Sequence, residues 1–231
     1  MTYVKQAARG ARQLLFSNLR QARHTDRRLV EDYLTQATVR KLHLGCGTNV
    51  LPGWLNADYF PSSAKILHLD ATKPFSLLAI GSFDYIFSEH MIEHISYLDG
   101  SRMIAECYRI LRLGGKLRLS TPDLSFLVDL YKNDKSKMQR EYVDWASKRI
   151  TWAPYNEDTF VINNFVRDWG HCFIYDEKTL RKSMGKSGFT GITRYPLALS
   201  DDQAFCKLEN EKKMPAGFLQ LESLTLEGSK S

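Results

Sequence analysis

Five short apolar runs between residues 41 and 120 each stop at or just before a glycine, an acid or a proline, and this punctuation constrains the fold more than any other feature. Lys41-Leu42-His43-Leu44 stops at Gly45-Cys46-Gly47. Trp54-Leu55-Asn56-Ala57 stops at Asp58, and Ile66-Leu67-His68-Leu69 stops at Asp70. Phe83-Asp84-Tyr85-Ile86-Phe87 runs into Ser88-Glu89-His90, and Lys116-Leu117-Arg118-Leu119-Ser120 is closed by Thr121-Pro122. Runs this short read as strands. A helical pattern over 99–112, with Met103, Ile104, Cys107, Ile110 and Leu111 inward, precedes Gly114-Gly115, which reads as its C-cap. Strands alternating with helices predict an α/β domain built on a mostly parallel sheet covered on both faces.

The rest of the chain divides by texture. Residues 1–38 read as a basic helical extension and 39–231 as the main domain, with an aromatic and charged insertion at about 123–170. Phe173 to Gly188 returns to strand and then helix. Ile192-Thr193-Arg194-Tyr195 reads as a sixth strand, and the alternation from Phe218 to Glu227 reads as the last.

Charge is concentrated in the leader. Residues 1–30 hold seven bases and one acid, which equals the whole net charge of +6. The rest is neutral, so a broad nucleic-acid face on the main domain is not expected. A helix over 4–23 would place Lys5, Arg9, Arg12, Arg20 and Arg23 on one side. That suits an anionic membrane surface, reached through residues 1–27, or an acidic partner. Docking on its own domain is the plainer reading, because alanine supplies much of the apolar side and buries little area. A second helix is expected over 28–37. No apolar run is long enough to span a bilayer, and the start lacks a signal-peptide pattern. The four cysteines (Cys46, Cys107, Cys172 and Cys206) have neither zinc-type nor C-x-x-C spacing. A reducing, cytoplasmic setting is expected, with contact at the inner membrane face as the alternative.

Ligands of open parallel sheets bind outside the strand carboxyl ends. Here those ends carry two glycines, Asp58, Asp70 and Glu89-His90. Glycines let a ligand approach the backbone, while acids can accept from ribose hydroxyls and an adenine amino group. The dinucleotide fingerprint needs a third glycine and an acid about 20 residues on. This chain has Val50 where that glycine belongs, and its acid comes 11 residues after Gly47. The link is too short for a helix, so a phosphate-free, adenosine-containing cofactor fits better than a pyrophosphate.

With these residues in place, the chain resembles class I S-adenosylmethionine-dependent methyltransferases. The likeness rests on Leu42 to Gly47, Asp58, Asp70, the segment Phe83 to His94, and Arg109-Ile110-Leu111-Arg112-Leu113-Gly114-Gly115-Lys116-Leu117. The short first link, Gly170-His171 and the C-terminal segment resemble a subgroup found beside glycosyltransferases in bacterial surface-polysaccharide gene clusters. The resemblance implies a Rossmann-like seven-stranded sheet with an antiparallel last strand, and S-adenosylmethionine as cofactor. It implies cofactor contacts at Gly45, Cys46, Gly47, Asn49, Asp58, Tyr59, Asp70, Ala71, Ser88 and Glu89. The expected reaction is methyl transfer to a hydroxyl, less readily an amine, of a small molecule, sugar or glycolipid-type acceptor. The alternatives are a non-catalytic module that binds the same cofactor, an RNA methyltransferase, and a nicotinamide-dependent oxidoreductase, which the missing glycine disfavours.

A hydroxyl acceptor needs a base. The candidates are His90, His171 and Asp123, with His94 read as structural. His90-x-x-Glu93-His94 also resembles the Glu-x-x-Glu-His metal site of some ubiquinone-pathway and small-RNA O-methyltransferases. The first histidine weakens an oxygen-preferring Mg²⁺ site, and the sequence reading assigns no metal. Cys46 reads as packing. Trp145, Trp152, Tyr155 and Trp169 read as an acceptor surface or as core, and Arg149 and Arg167 as acceptor contacts or surface ion pairs.

Overall fold

The computed structural model describes residues 25–231, and the leader helix expected over 4–23 lies outside them. One seven-stranded sheet runs in the order β3-β2-β1-β4-β5-β7-β6. Strands β1 (Lys41–Leu44), β2 (Leu55–Asp58), β3 (Leu67–His68), β4 (Phe83–Glu89) and β5 (Leu111–Pro122) are parallel. Strand β7 (Ser223–Lys230) lies between β5 and β6 (Phe189–Arg194) and is antiparallel to both. This is the Rossmann-like arrangement that the sequence implied.

Period-two alternation sorts the strand residues onto two faces. Leu42, Leu44, Ile86, Leu117, Leu119, Leu224 and Leu226 point to one side. They pack with Val30 of α1 (Thr25–Gln36), Ile104 and Cys107 of α2 (Tyr97–Ile110), and Leu180 and Met184 of α6 (Glu177–Lys186). Each such side chain contributes roughly 1.5–3 kcal/mol on burial, so this face supplies most of the apolar driving force. The α1 helix is tied down by polar contacts as well. Tyr33 Oη accepts from Lys41 N at 2.7 Å, and Asp26 Oδ1 accepts from His68 N at 3.2 Å.

The opposite face carries His43, Tyr85, Phe87 and Arg118. No helix joins β1 to β2, so the link itself covers this side only with Leu51 and Trp54. A distant strap, residues 196–217, adds to the cover. Its Phe205 packs with Trp54 and Phe87, and Lys116 Nζ reaches Asp202 Oδ2 at 2.8 Å.

The insertion folds into α3 (Leu124–Leu130), α4 (Lys137–Ser147) and α5 (Asp158–Arg167) beyond the carboxyl end of β5. Asp123 caps α3 by accepting from Ser125 N at 2.9 Å, and a Ser136–Gln139 capping box starts α4. Phe126, Tyr142, Phe165 and Phe218 give these helices their own core. Trp145 joins that core from its rim, with the Arg149 guanidinium 4.2 Å over its ring.

Four sequence expectations need correcting. Gly114-Gly115 does not cap α2, which ends at Ile110. Leu111 is already extended and pairs opposite Phe83, while Lys116 pairs opposite Tyr85. Residues 112–115 are therefore an excursion turned by Gly114 at φ +76°. Strand β3 is shorter than the apolar run suggested, being two residues long. Residues Phe218–Glu222 form a short helix, α7, before β7 begins. No strand forms between Phe173 and the helix Glu177–Lys186. Tyr175 makes one isolated bridge to Asp123. Among the described residues, no helix is long and apolar enough to cross a membrane.

Candidate active site

The carboxyl ends of β1 to β4 meet around the Gly45–Gly47 turn. Gly45 has φ +68°, and a Cβ added there would lie 2.3 Å from Met91 Cγ. Only glycine fits. Gly47 also has positive φ, but a Cβ there would meet nothing within 4 Å, so its backbone opens onto space. Cys46 between them is buried, and burial pushes its thiol up to about 12.

Asp58 closes this turn. Its Oδ2 accepts from Gly47 N at 2.8 Å and its Oδ1 from Phe60 N at 2.7 Å. Each oxygen keeps lone-pair capacity for a further donor. Asp70 Oδ1 accepts from Thr72 N and Thr72 Oγ1 at 2.9 and 2.7 Å. Exposed Tyr59 lies 5.9 Å from the His68 ring, and Ala71 packs against the main core. Ser88 is buried at the end of β4, and its hydroxyl has no hydrogen-bond partner.

The strap reaches this site, which the sequence did not signal. Glu89 Oε1 accepts from Asn210 N at 2.9 Å, and Glu89 Oε2 lies 3.9 Å from Lys213 Nζ. Asn49 Nδ2 donates to Leu208 O at 3.1 Å. Burial holds the Glu89 carboxyl above its ordinary value despite Lys213. Asn49 and Glu89 thus anchor the strap at the pocket edge.

The three candidate bases have separate fates. Asp123 caps α3 with one oxygen and holds Arg194 Nη2 at 3.0 Å with the other. That carboxylate is committed to structure. His90 sits at φ +46°, which is strained for a non-glycine residue. Its Nε2 lies 2.9 Å from Ser223 Oγ, and burial lowers its pKa to about 3. Such an imidazole stays neutral and is a weak base. His171 Nδ1 faces Phe165 O at 2.7 Å, so this nitrogen carries the proton and Nε2 presents its lone pair.

His171 also meets His94, with ring centroids 4.9 Å apart. Pairing brings them together. The Cys172 and Phe173 amides donate to the Glu93 carbonyl at 2.7 and 3.2 Å. Glu93 enters the sequence reading only through the His90-x-x-Glu93-His94 pattern. It is fully buried, and burial raises its pKa to about 8. The Glu-His spacing was visible in the sequence, but its approach to His171 was not.

A second buried acid lies in the insertion core. Tyr142 Oη donates to Glu222 Oε2, and burial raises Glu222 to about 7 from an ordinary 4.5. The folded chain then holds a proton that the unfolded chain releases between those pH values. This contribution is present in full below pH 4.5 and is lost as pH rises through 7, costing up to about 3 kcal/mol. Glu222→Gln should match wild-type stability near pH 4.5 and exceed it at pH 8. Thermal unfolding of both proteins across that range checks this, and a constant difference would contradict it.

The pocket suits S-adenosylmethionine. Glycine backbone opens onto space, acids sit at two strand ends, and there is no helix N-terminus after β1 to take a pyrophosphate. No curated protein matches the chain in sequence. The structure is similar to a SAM dependent methyltransferase from Archaeoglobus fulgidus, at 15% identity and a TM-score of 0.51, covering 88% of this chain and 94% of that one. A possible histamine N-methyltransferase from Thermotoga maritima is 17% identical with a TM-score of 0.48, covering 94% and 96%. Phosphoethanolamine N-methyltransferase 2 of Haemonchus contortus, in complex with S-adenosyl-L-methionine, is 15% identical with a TM-score of 0.43, covering 83% of this chain and 48% of that one. The sequence profile of a methyltransferase domain matches residues 19–194, well over half of the chain. The chain belongs to this methyltransferase-domain family of S-adenosylmethionine-dependent enzymes.

Proposed function

We propose that the acceptor is a hydroxyl on a small molecule, sugar or glycolipid-type compound. The carrying observation is the neutral imidazole of His171, whose Nε2 lone pair is held available by the Nδ1 contact to Phe165 O at 2.7 Å. A hydroxyl must lose its proton to become a useful nucleophile, whereas a neutral amine already has a lone pair. Exposed Trp152 and Trp169 support the sugar end of this range, since aromatic faces stack on apolar sugar faces. Trp152 Nε1 donates to Asp168 Oδ2 at 2.9 Å, and the Trp169 ring lies 5.9 Å from that of His171.

When bound, S-adenosylmethionine supplies a methyl group already activated on sulfonium. Gly45 and Gly47 would lie against it, with Asp58 toward the ribose and Asp70 toward the adenine. The chain's own task is alignment, which can lower a barrier by several kcal/mol, together with control of the acceptor proton beside His171.

Asp58→Ala should weaken S-adenosylmethionine binding by about 10–100-fold, the value of one or two charged hydrogen bonds. Calorimetric titration checks this, and unchanged affinity would remove Asp58 from the cofactor site. Transfer of labelled methyl to a panel of sugar, glycolipid and amine acceptors tests the acceptor class. Turnover confined to amines would overturn the hydroxyl reading.

A further inference from the structure

We infer that the rim formed by the start of α1 and the loop between β2 and β3 docks on an anionic lipid surface. Arg27 and Arg28 are exposed in the first turn of α1, and Tyr59, Phe60 and Lys65 are exposed in the loop. A chain of contacts joins the two segments. Asp26 Oδ1 accepts from His68 N at 3.2 Å, the His68 ring lies 5.9 Å from that of Tyr59, and the Tyr59 ring lies 5.0 Å from that of Phe60. Phe60 is 53% exposed, and its ring carries no polar group. A single exposed apolar residue is ordinary on a protein surface. The charge around this one, and the segment of chain that enters beside it, set it apart.

The chain enters α1 at this rim. His68 is the last residue of β3, so Asp26 stands at the carboxyl end of the sheet. Tyr33 Oη lies against Lys41, the first residue of β1, so the helix runs away from the rim. Its exposed acids Glu31 and Asp32 begin one turn, about 6 Å, beyond Arg27. Asp58 and Asp70, at the neighbouring strand ends, turn their oxygens onto the backbone amides of Gly47, Phe60 and Thr72. On the other side of Thr25, residues 1–24 hold five bases and no acid, interleaved with Leu14, Leu15, Phe16 and Leu19. Residues 1–28 carry the whole net charge of +6, and all of it is delivered to this edge of the domain. Basic side chains meet anionic headgroups, while an aromatic ring beside them enters the headgroup boundary.

Two other partners fit less well. Both faces of the sheet are already covered, one by α1, α2 and α6 and the other by the strap, so the leader has no sheet face of its own domain to pack on. Nucleic acid would use the bases alone, whereas the interleaved leucines and phenylalanines gain only at an apolar boundary. Docking by this rim brings the strand ends, and the pocket between them, close to the headgroups. Its service to a glycolipid-type acceptor rests on the function proposed above; the binding itself does not.

The test is co-sedimentation of the full chain, without cofactor, with phosphatidylcholine vesicles and with vesicles of equal parts phosphatidylcholine and phosphatidylglycerol. Binding to the mixed vesicles alone is expected, weakening as salt rises from about 0.1 M to about 0.5 M. Arg27→Gln combined with Arg28→Gln should weaken it about 20-fold, since each base beside an anionic surface contributes about fivefold. The same double variant should keep wild-type affinity for S-adenosylmethionine. Phe60→Ser should weaken vesicle binding by about fivefold, an effect that attraction of charge alone would not produce. Lys182→Gln combined with Lys186→Gln removes two exposed charges from α6 and should leave binding unchanged. Folded protein that ignores the mixed vesicles, binds both kinds equally, or binds as wild type in both rim variants would overturn the inference. So would equal losses in the two double variants. Binding of single-stranded RNA through Arg27 and Arg28, with none to vesicles, would assign the rim to nucleic acid and overturn the lipid reading. Vesicle binding by a chain that methylates only soluble amines would support the rim and defeat the acceptor proposal instead.

Discussion

Arg118→Met should cost about 3–5 kcal/mol of stability, the usual penalty for stranding a buried charge by removing its partner. Arg118 has no solvent exposure. Its Nε donates to Glu209 Oε1 at 2.7 Å, and its Nη1 to Glu227 Oε1 at 2.5 Å and Leu199 O at 2.9 Å. The two carboxylates are themselves buried, so methionine leaves both without their counter-charge. In a chain of this size the loss corresponds to a fall in Tm of roughly 10 °C. Neutralising both acids as well, with Glu209→Gln and Glu227→Gln, should recover much of it, because an apolar or neutral set need not be less stable than a buried ion triad. Cofactor affinity should fall in the single variant, since the strap held by Arg118 also holds Glu89 and Asn49. Thermal melts of the single and triple variants decide the matter. A single variant that melts within about 2 °C of wild type would show that the triad does not hold the strap.

Gly45→Ala should lower S-adenosylmethionine affinity by at least about 100-fold, roughly 2.7 kcal/mol. The new methyl group meets Met91 Cγ at 2.3 Å and Cβ at 2.6 Å. The left-handed backbone, φ +68°, adds about 1–2 kcal/mol for any residue with a Cβ. The chain can relieve this only by shifting the turn or the segment after β4, and both border the cofactor pocket. Met91→Ala combined with Gly45→Ala removes the Cγ contact but leaves the Cβ contact at 2.6 Å and the backbone cost, so it should restore only a small part of the affinity. Titration calorimetry on both variants measures the split. Wild-type affinity in folded Gly45→Ala would mean that the cofactor does not depend on this turn.

Much of the sheet was legible because its strands obey local rules. Lys41–Leu44 begins and ends where the apolar run and Gly45 said it should. The pocket glycines and acids were readable because each follows a strand, and parallel topology places strand ends together. Reading was poorer where two local signals competed. Gly114-Gly115 looked like a helix cap, but burying Leu111 beside Phe83 ended α2 earlier and made the glycines a turn within β5. The alternation of Leu219, Leu221, Leu224 and Leu226 hid a change from helix to strand at Ser223.

The sequence by itself determined the fold class and the strand ends that gather around the Gly45–Gly47 turn, because strand period and strand-end chemistry act over a few neighbouring residues. Only tertiary structure decided what covers the second face and what the histidines do. Arg118 meets Glu209 across 91 residues, and Glu89 meets Asn210 across 121. His171 reaches His94 because the Cys172 and Phe173 amides pair with the carbonyl of Glu93. No local pattern encodes such contacts. They arise when a buried donor or charge finds its partner wherever the packed chain happens to bring one.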